Sequence, residues 1–447
     1  MSHATARAAT PDPDDDALRR DLARRLAAAR ASTDALFALL TPEGLLERPI
    51  AERHRLVFYL GHLEAFDWNL LCRDALGQPS LDPSLERLFA FGIDPLDGQV
   101  PRDGPAEWPA RRTIEAFNRR ARQAVDAALA RAPLQGWLEG GWAAHLAIEH
   151  RLMHAETLCY LLQRLDFRFK RPGPLPEVSA SPAVQAWRPV PPGPARLGLE
   201  RAQAPHLGWD NEYQASAVAV PGFHIARLPV SNQDWLGFLQ AGGYRERSLW
   251  GAEDWTWLQR EQVSHPAFWR QARDGAWRWV AMFGEVPLPA AWPVYVSHAE
   301  ASAYARWKGA RLPTEAQWHR AAYGDQPGRA FPWAGAEAVP GLHGHLGGLA
   351  FDPRASGTHP AGDSPLGVAD LMGNGWEWTS TVFAPFAGFE ALPFYPGYSA
   401  NFFDGQHLVL KGASARTDLS FLRPSFRNWF QPRIRHLFAK FRLVREA

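Results

Sequence analysis

The first 165 residues carry apolar side chains at helical spacing. One apolar stripe runs through Leu18, Leu22, Leu26, Ala29, Leu36 and Leu40. Steps of three, four and seven residues return to one face of an α-helix, so this stripe predicts a first helix. Similar patterns predict helices at about 53–75, 111–132 and 141–165, and the helix at 53–75 is apolar nearly all round. Four long helices indicate a bundle, with the 53–75 helix at its centre.

The hydrophobic pattern changes after residue 165. Between Pro172 and Pro194 the chain is dense in proline and cannot form a regular helix. Short strand-like runs and glycine turns follow, with amphipathic helices predicted in "SHAEASAYARWKGA" and "TEAQWHRAAYG". We therefore predict a helical bundle at 14–165, a proline-rich linker at 166–195 and a loop-rich α+β domain at 196–447.

Composition narrows the range of partners. The chain has 48 Lys and Arg against 47 Asp and Glu, and this balance gives no electrostatic reason to expect nucleic acid or an anionic membrane. We therefore expect small-molecule partners. The sequence shows neither a signal peptide nor an apolar run of the roughly 20 residues that span a membrane, which predicts a soluble cytoplasmic protein.

The chain has two cysteines, Cys72 and Cys159. Two cysteines exclude a disulfide-stapled scaffold and a multi-cysteine zinc site, and we interpret both as small core residues. The chain also has 20 tryptophans, mostly in its second half, which indicates a rigid, aromatic-lined domain there.

The stretch "HRLMHAETLCYLL" places His150 and His154 four residues apart inside an apolar run. This spacing stacks both imidazoles on one helical face, where they are either ordinary polar residues or metal ligands. His62 lies midway along the most apolar helix, where a histidine without a partner would cost about 1–3 kcal/mol. It is either a core residue bonded to a backbone carbonyl or a third ligand from a facing helix.

Three imidazoles without carboxylate or thiolate suit zinc, iron, copper or nickel, so the ligand type does not choose the metal. Three protein ligands leave coordination positions open, which points to chemistry at the metal rather than a structural clamp. Glu156 is either an orienting partner of a ligand or a solvated helix charge. His54 and His145 lie off the apolar stripe and are interpreted as ordinary residues.

The segments "HRLMHAE" and "GHLEAFDWNLL" resemble the histidine-bearing helices of the ergothioneine-type sulfoxide synthases. The second half resembles the formylglycine-generating-enzyme-type domain that is fused to that bundle, in "LGWDNE", "RLPTEAQW", "GNGWEW" and "RNW". The resemblance covers nearly the whole chain. It implies an α plus α+β protein: an N-terminal DinB-like four-helix bundle and a C-terminal domain with a C-type-lectin-like fold.

Members of that family use non-haem iron(II) and dioxygen to join sulfur to C2 of the imidazole of hercynine, a trimethylated histidine. The resemblance implies that His62, His150 and His154 hold the iron. Its "RNW" segment implies that Asn428 and Trp429 help to bind hercynine. A trimethylammonium group seeks an aromatic face, and we predict that Trp429, Trp376 and Phe383 form walls of that site.

The sequence departs from one branch of the family at three places. Phe383 and Phe386 stand where that branch has tyrosines after "WEWT", one of which supplies a proton or electron. Met153 stands where a glutamine touches the substrate imidazole. Arg102 is the nearest candidate for the arginines that grip the carboxylates of γ-glutamylcysteine.

These departures favour the related selenoneine synthases, which couple the selenosugar 1-seleno-glucose to hercynine. A selenol is more readily ionised than a thiol, and a selenolate is more readily oxidised than a thiolate, so such an enzyme could dispense with the tyrosine hydroxyl. We therefore predict an iron(II)- and dioxygen-dependent enzyme that forms a carbon–selenium bond between hercynine and a selenosugar. The alternative is a sulfoxide synthase with γ-glutamylcysteine or cysteine as the donor.

Two hypotheses from other classes stay open. One is a lectin-like binding module on a metal-free helical scaffold, and the other is a zinc-dependent thiol transferase. Formylglycine-generating activity is not expected, because that chemistry depends on a reactive cysteine pair and the second domain contains no cysteine. The sequence identifies no proton donor and no residue that binds the sugar.

Overall fold

Helices dominate the first part of the chain, and short strands joined by long loops dominate the rest. The structure is a computed structural model. It describes residues 13–90, 101–178, 183–202, 208–326, 328–348 and 350–447. The chain divides into two compact units, residues 1–158 and residues 159–447, and the division falls inside the fifth helix.

Five α-helices begin within the part of the first unit that the structure describes. They are α1 (Pro13–Phe37), α2 (Leu56–Trp68), α3 (Pro83–Leu88), α4 (Arg111–Arg131) and α5 (Trp142–Arg164). The four long helices α1, α2, α4 and α5 form the bundle that the apolar stripes predict. The helix predicted at 53–75 begins later, and its last part, Asn69–Asp74, is π-helical. The short helix α3 was not predicted; it begins where Asp82 accepts hydrogen bonds from the amides of Ser84 and Leu85.

Burial in the bundle follows the helical period. The inner face of α4 consists of Ile114, Phe117, Ala121, Val125, Ala128 and Leu129. This face packs against α1 and α2. Helix α2 buries 11 of its 13 residues, as expected of a central helix. Polar side chains on α2 are therefore held inside the bundle, where they need partners.

The described residues of the second unit form four further α-helices and four small sheets. The helices are α6 (Asn232–Gln240), α7 (Ala252–Arg260), α8 (His298–Trp307) and α9 (Glu315–Tyr323). The strands are β1 (Trp187–Val190), β2 (Gly193–Leu197), β3 (Ser216–Val220), β4 (Phe223–Ala226), β5 (Trp269–Gln271), β6 (Trp277–Ala281), β7 (Gly284–Pro287), β8 (Gly375–Val382), β9 (Leu408–Ala413), β10 (Asn428–Phe430), β11 (Ala439–Lys440) and β12 (Val444–Glu446). Helices α8 and α9 match the two amphipathic predictions, whereas α6 and α7 were not predicted.

The largest sheet has the strand order β10-β9-β8-β11, with β11 parallel to β8 and the other pairs antiparallel. The other sheets have the orders β1-β4-β12, β5-β6-β7 and β2-β3. Helix α9 packs against β2, β3, β8 and β9. Its Trp318 is fully buried in the core, and the indole N–H donates to Glu377 on β8 at 3.0 Å. The core of this unit therefore joins the central sheet to a helix.

Two strands begin within the stretch 166–195 that is predicted as a linker. The strand β1 contains Pro189, and β2 contains Pro194. A proline cannot donate to a strand ladder, so it is tolerated at an edge. Both strands pair on one side alone, β1 with β4 and β2 with β3, which explains how a proline-rich sequence joins the sheets. The predicted domain limits of 14–165, 166–195 and 196–447 otherwise stay predictions.

Within the described ranges, no helix combines the length and apolar character needed to cross a membrane. Cys72 and Cys159 are not joined in a disulfide, and both are fully buried.

Candidate metal centre

Three histidines from two helices meet inside the bundle. His62 lies on α2, and His150 and His154 lie one turn apart on α5. The Nε2 atom of His154 is 3.1 Å from Nε2 of His62 and 3.1 Å from Nε2 of His150. All three side chains are buried, with exposures of 5%, 3% and 4%. In the part of the chain that the structure describes, this is the one group of three His, Cys, Asp or Glu residues close enough to share a metal ion.

The spacing of these nitrogens fits a metal ion. Metal–imidazole bonds are about 2.1 Å long, so neighbouring ligands at right angles on one metal lie about 3.0 Å apart. The two measured nitrogen separations match this value. The alternative, a core histidine bonded to a backbone carbonyl, explains one ring nitrogen of His62 but not why its other nitrogen faces two more imidazoles.

The protonation of His62 is set by the backbone. Its Nδ1 lies 2.6 Å from the carbonyl oxygen of Phe89. Since a carbonyl can only accept, Nδ1 donates the hydrogen and Nε2 of the neutral ring carries a lone pair. Burial lowers the pKa of His62 to about 4 and holds the pKa of His150 and His154 well below the usual value. All three rings are therefore neutral at pH 7, the form that binds metals.

Aromatic packing and a glycine hold these rings in place. Phe66 stacks on His150 with ring centres 3.5 Å apart, and Phe58 stacks on His62 at 4.8 Å. A Cβ atom at Gly61 would lie 2.4 Å from the ring of Phe89, so the lack of a side chain lets Phe89 approach α2. This approach brings the Phe89 carbonyl to His62.

The other candidate residues of the first unit are less buried than the three histidines. Met153 and Glu156 lie half-buried on α5, and Arg102 is exposed. The neighbour of Arg102, Asp103, is the residue that holds charged partners, since it accepts from Arg55 at 3.2 Å.

Sequence reasoning missed two residues beside the histidines. Tyr59 is fully buried, with its ring centre 5.8 Å from that of His154. Arg151, between the two α5 histidines, is fully buried and binds Glu64 and Asp67 on α2. The spacing of Glu64 and Asp67, three residues apart on an apolar helix, could have indicated a buried cation partner.

An aromatic cluster in the second unit contains most of the predicted walls. Trp429 on β10 is half-buried and stacks on the fully buried Phe383, with ring centres 4.3 Å apart and planes 5° apart. The rings of Tyr398 and Phe402 lie 5.3 Å and 5.7 Å from Trp429. Trp376 is buried on β8, with its ring centre 5.9 Å from that of Phe426. The structure therefore groups Trp429 with Phe383 and adds Tyr398, which sequence reasoning missed.

Two further predicted residues flank this cluster. The guanidinium of Arg427 lies 4.3 Å from the ring centre of Phe386 and 5.0 Å from that of Phe383. Arg427 also binds the buried carboxylate of Glu315, with distances of 3.1 Å and 3.2 Å. The side-chain oxygen of Asn428 accepts from the amide of Trp429 at 2.9 Å. The residues before Trp429 are thus fixed by charge and hydrogen bonds.

The segment Asp210–Glu212 ties the cluster together. Ser399, next to Tyr398, donates to the carboxylate of Asp210 and accepts from the side-chain amide N–H₂ of Asn211. Burial raises the pKa of Asp210 to about 6. Glu212 is fully buried and accepts from Arg423 at 2.6 Å and from Ser425 at 2.6 Å. One short motif therefore anchors both the Tyr398 loop and the segment that leads to Trp429.

Comparison with known proteins agrees with this organisation. Residues 175–447 match the model of the sulfatase-modifying factor enzyme 1-like domain, and residues 25–158 match that of the DinB superfamily. A hercynine oxygenase from Mycolicibacterium thermoresistibile is 35% identical over 453 residues, covering 95% of each chain. The chain belongs to the ergothioneine-type sulfoxide synthase family.

Two further relatives extend this family. A hercynine oxygenase from Mycobacterium tuberculosis is 36% identical over 379 residues, covering 82% of this chain and 85% of the relative. The ergothioneine biosynthesis protein 1 of Neurospora crassa is 26% identical over 492 residues, covering 91% of this chain and 56% of the relative. As a sulfoxide synthase relative, the chain is an oxidoreductase that combines a DinB-like helical domain with a formylglycine-generating-enzyme-type domain, which confirms the predicted fold class.

Proposed function

We propose that this protein forms a carbon–selenium bond between C2 of the hercynine imidazole and a selenosugar, using iron(II) and dioxygen. The observation that carries the proposal is the cluster of His62, His150 and His154 in a chain whose relatives are named hercynine oxygenases. Iron(II) bound there would supply a redox-active centre with open positions for the reactants.

The choice of iron rests on the kind of reaction. Three neutral imidazoles suit zinc, copper and nickel as well as iron. Zinc has no redox chemistry, whereas an oxygenase needs a metal that exchanges electrons. The name of the relatives therefore favours iron, and the neutral rings of this chain are ready to bind it without first losing a proton.

Hercynine recognition is assigned to the aromatic cluster of the second unit. A trimethylammonium group cannot donate a hydrogen bond, and an aromatic face attracts it by about 0.5–2 kcal/mol. The half-buried ring of Trp429 is backed by Phe383 and edged by Tyr398. Asn428 keeps its amide N–H₂ group as a donor, because its bond to the Trp429 amide uses the oxygen. That group suits the hercynine carboxylate.

The donor is the finer part of the proposal. Phe383 and Phe386 offer no hydroxyl, and their rings are engaged by Trp429 and Arg427. A selenol ionises more readily than a thiol, and the resulting selenolate is more readily oxidised than a thiolate, so the missing tyrosines favour selenium. Arg102, the candidate for binding a donor carboxylate, is exposed, and a neutral sugar has no need of it.

The sulfur alternative has its own support. The fungal relative is named for ergothioneine biosynthesis, which favours γ-glutamylcysteine or cysteine as donor. The phenol of Tyr398, whose ring lies 5.3 Å from that of Trp429, comes from a different segment than the tyrosines of the well-known branch. It would be the hydroxyl to test if the donor is a thiol.

A competition experiment decides the donor. The purified chain is loaded with iron(II) without oxygen, mixed with hercynine, 1-seleno-glucose, γ-glutamylcysteine and cysteine, and then exposed to oxygen. Mass spectrometry is expected to show a selenium-containing hercynine adduct. Exclusive turnover of a thiol would overturn the selenium assignment, and absence of any adduct would overturn hercynine chemistry.

A matched variant separates the remaining hypotheses. His154→Gln keeps a polar side chain of similar size but removes one imidazole, and it is expected to abolish every adduct. Metal analysis of the unchanged chain tests the other two classes. Binding of hercynine without metal would support the lectin-like module, and oxygen-independent thiol transfer with zinc would support the transferase.

A further inference from the structure

We propose that Arg151 is a positioning residue of the metal centre. Through Glu64 and Asp67 it fixes α2, which carries His62, against α5, which carries His150 and His154. The inference deepens the proposed function and depends on its metal site. Nothing in the family models or in the names of the relatives assigns a role to these three residues.

The contacts of Arg151 are those of a two-helix clamp. Its Nη2 lies 2.6 Å from Oδ2 of Asp67 and 2.9 Å from Oε2 of Glu64. Its Nη1 donates to Oε1 of Glu64 at 3.1 Å. Exposures of 0%, 2% and 1% for Arg151, Glu64 and Asp67 show that water does not screen these charges. A planar guanidinium that grips one carboxylate with two nitrogens while binding another is directional, which a point charge is not.

The clamp extends to the other two bundle helices. On α4, Arg122 donates to the same Glu64 at 2.9 Å and to Asp34 of α1 at 2.8 Å. On α1, Thr33 accepts from Arg151 at 3.4 Å. All four long helices of the bundle thus contact one set of charges, which is buried at Arg151, Glu64 and Asp67 and reaches the surface at Asp34.

The position of the clamp relates it to the metal ligands. Arg151 directly follows His150, and Glu64 lies two residues after His62. Neighbouring residues point about 100° apart around a helix, so the ion pairs and the imidazole contacts are separate points of attachment between α2 and α5. Two such points determine both the rotation and the sliding of one helix against the other.

The required precision makes this control important. Sliding α5 by one residue would move its imidazoles about 1.5 Å, which is half of the 3.1 Å that separates the nitrogens. A metal site tolerates deviations of only about 0.2 Å in its bond lengths. Buried ion pairs contribute little net stability compared with apolar residues of similar size. The expected effect of Arg151 is therefore on the geometry of the site more than on the stability of the bundle.

The test measures binding of cobalt(II), whose absorption bands report the number and arrangement of ligands. The metal-free chain is titrated with cobalt(II) alone, so no substrate is needed. Arg151→Met is expected to bind cobalt(II) about 10–100-fold more weakly, as is typical when a residue that orients metal ligands is lost. Its bands are expected to change in position and intensity. Arg151→Lys keeps the charge but not the fork, and is expected to bind with intermediate affinity.

Two more variants keep the experiment decisive. Arg151→Met combined with Glu64→Gln and Asp67→Asn removes the unpaired charges that could unfold the single variant, and it is expected to retain the weak binding and altered bands. Arg122→Met removes the other arginine on Glu64 without touching α5, and its cobalt(II) affinity is expected to stay within about twofold of the unchanged chain.

The outcomes are distinguishable. If the unchanged chain binds no cobalt(II), the metal centre and the proposed function fail together. If the unchanged chain binds it and a folded triple variant shows the same affinity and spectrum, the positioning role of Arg151 alone is overturned. If Arg151→Met and the triple variant both fail to fold, the Arg151→Lys variant decides. Unchanged cobalt(II) affinity and unchanged absorption bands in Arg151→Lys would overturn the inference.

Discussion

Each of the two units buries an arginine completely, but they satisfy it in different ways. In the bundle, Arg151 bonds to the side chains of Thr33, Glu64 and Asp67. In the second unit, Arg442 binds Glu377 at 2.7 Å and also donates to the backbone carbonyls of Ala226, Arg227, Ala369 and Asp370. The difference lies in the source of the acceptors.

The secondary structure explains this difference. A helix uses its own carbonyls in its i to i−4 bonds, so a buried cation between helices depends on carboxylate side chains. Loops and strand ends leave carbonyls without partners in a regular ladder. In the second unit, four such carbonyls accept hydrogen bonds from the guanidinium of Arg442. Buried polar side chains in the bundle are therefore positioned by side chains on facing helices. Those in the second unit are positioned by backbone carbonyls, and so by the path of the chain.

The largest difference between the two units is expected when a metal ligand is removed. His154→Ala is expected to lower metal content below about 0.1 ion per chain and activity by about 1,000-fold or more, because two imidazoles alone do not hold a catalytic metal. Trp429→Ala should leave the metal content unchanged, since that residue belongs to the second unit. Metal analysis by mass spectrometry checks both. Full metal occupancy in His154→Ala would contradict the proposed centre.

The next largest effect is expected at the other buried arginine. Arg442→Met leaves Glu377, which is 0% exposed, without its main cation. It also removes the donor to four backbone carbonyls. Loss of one partner of a buried ion pair costs about 3–5 kcal/mol. Urea unfolding should show this loss of stability. Arg445→Met, an exposed position three residues further on, is the matched control. It removes a guanidinium that lies 4.5 Å from the ring centre of Trp187 and should change stability by less than about 1 kcal/mol. Equal effects of the two variants would argue against the network.

Acid should weaken the metal-free bundle through its neutral imidazoles. The pKa of His62 is about 4 in the folded chain against 6.5 for an unperturbed histidine. The unfolded chain therefore binds a proton near pH 6.5 that the folded chain takes up only near pH 4. Stability is fully present above pH 6.5 and falls as the pH drops to 4, by on the order of 3 kcal/mol for this residue.

Urea unfolding at several pH values, with a chelator present, measures this slope. His62→Gln removes one of three titrating imidazoles and is expected to reduce the slope over the same range, and the slope that remains belongs to His150 and His154. Parallel slopes for the variant and the unchanged chain would show that His62 is not the group responsible.

The smallest effect is expected at the aromatic cluster. Trp429→Ala removes a cation–π partner worth about 1–2 kcal/mol, which corresponds to a rise in the KM for hercynine of about 5–30-fold. Trp429→Phe keeps an aromatic face and should recover most of the affinity. A fall in kcat with unchanged KM would place hercynine elsewhere.

The bundle was largely predictable because its residues obey one period. The stripe containing Leu22 and Leu26 gave α1, and the spacing of His150 and His154 put both on one face of α5. The meeting with His62 followed from its position on the most apolar helix. The clamp of Arg151 was not foreseen, because a single arginine beside a histidine looks like an ordinary helix charge until its partners are known.

The second unit was less predictable in detail. Strands as short as β10 and β11 have too few residues to show an alternating pattern. Tyr398 lies 31 residues before Trp429 in the sequence, and only the folding of the loop held by Asp210 and Asn211 brings the two rings together. A family resemblance indicated Trp429 and Phe383, while the path of the loop supplied their neighbour.

The bond from His62 to the carbonyl of Phe89 has an evolutionary consequence. Phe89 ends the short helix α3, where carbonyls are left without helical partners. Since the acceptor belongs to the backbone, replacing the side chain of residue 89 does not remove it, and a sequence signature built from ligand positions will not record it. A substitution at residue 89 that preserves the packing against Gly61 therefore keeps the ring tautomer, whereas an insertion or deletion between α2 and α3 would change it while every histidine remains in place.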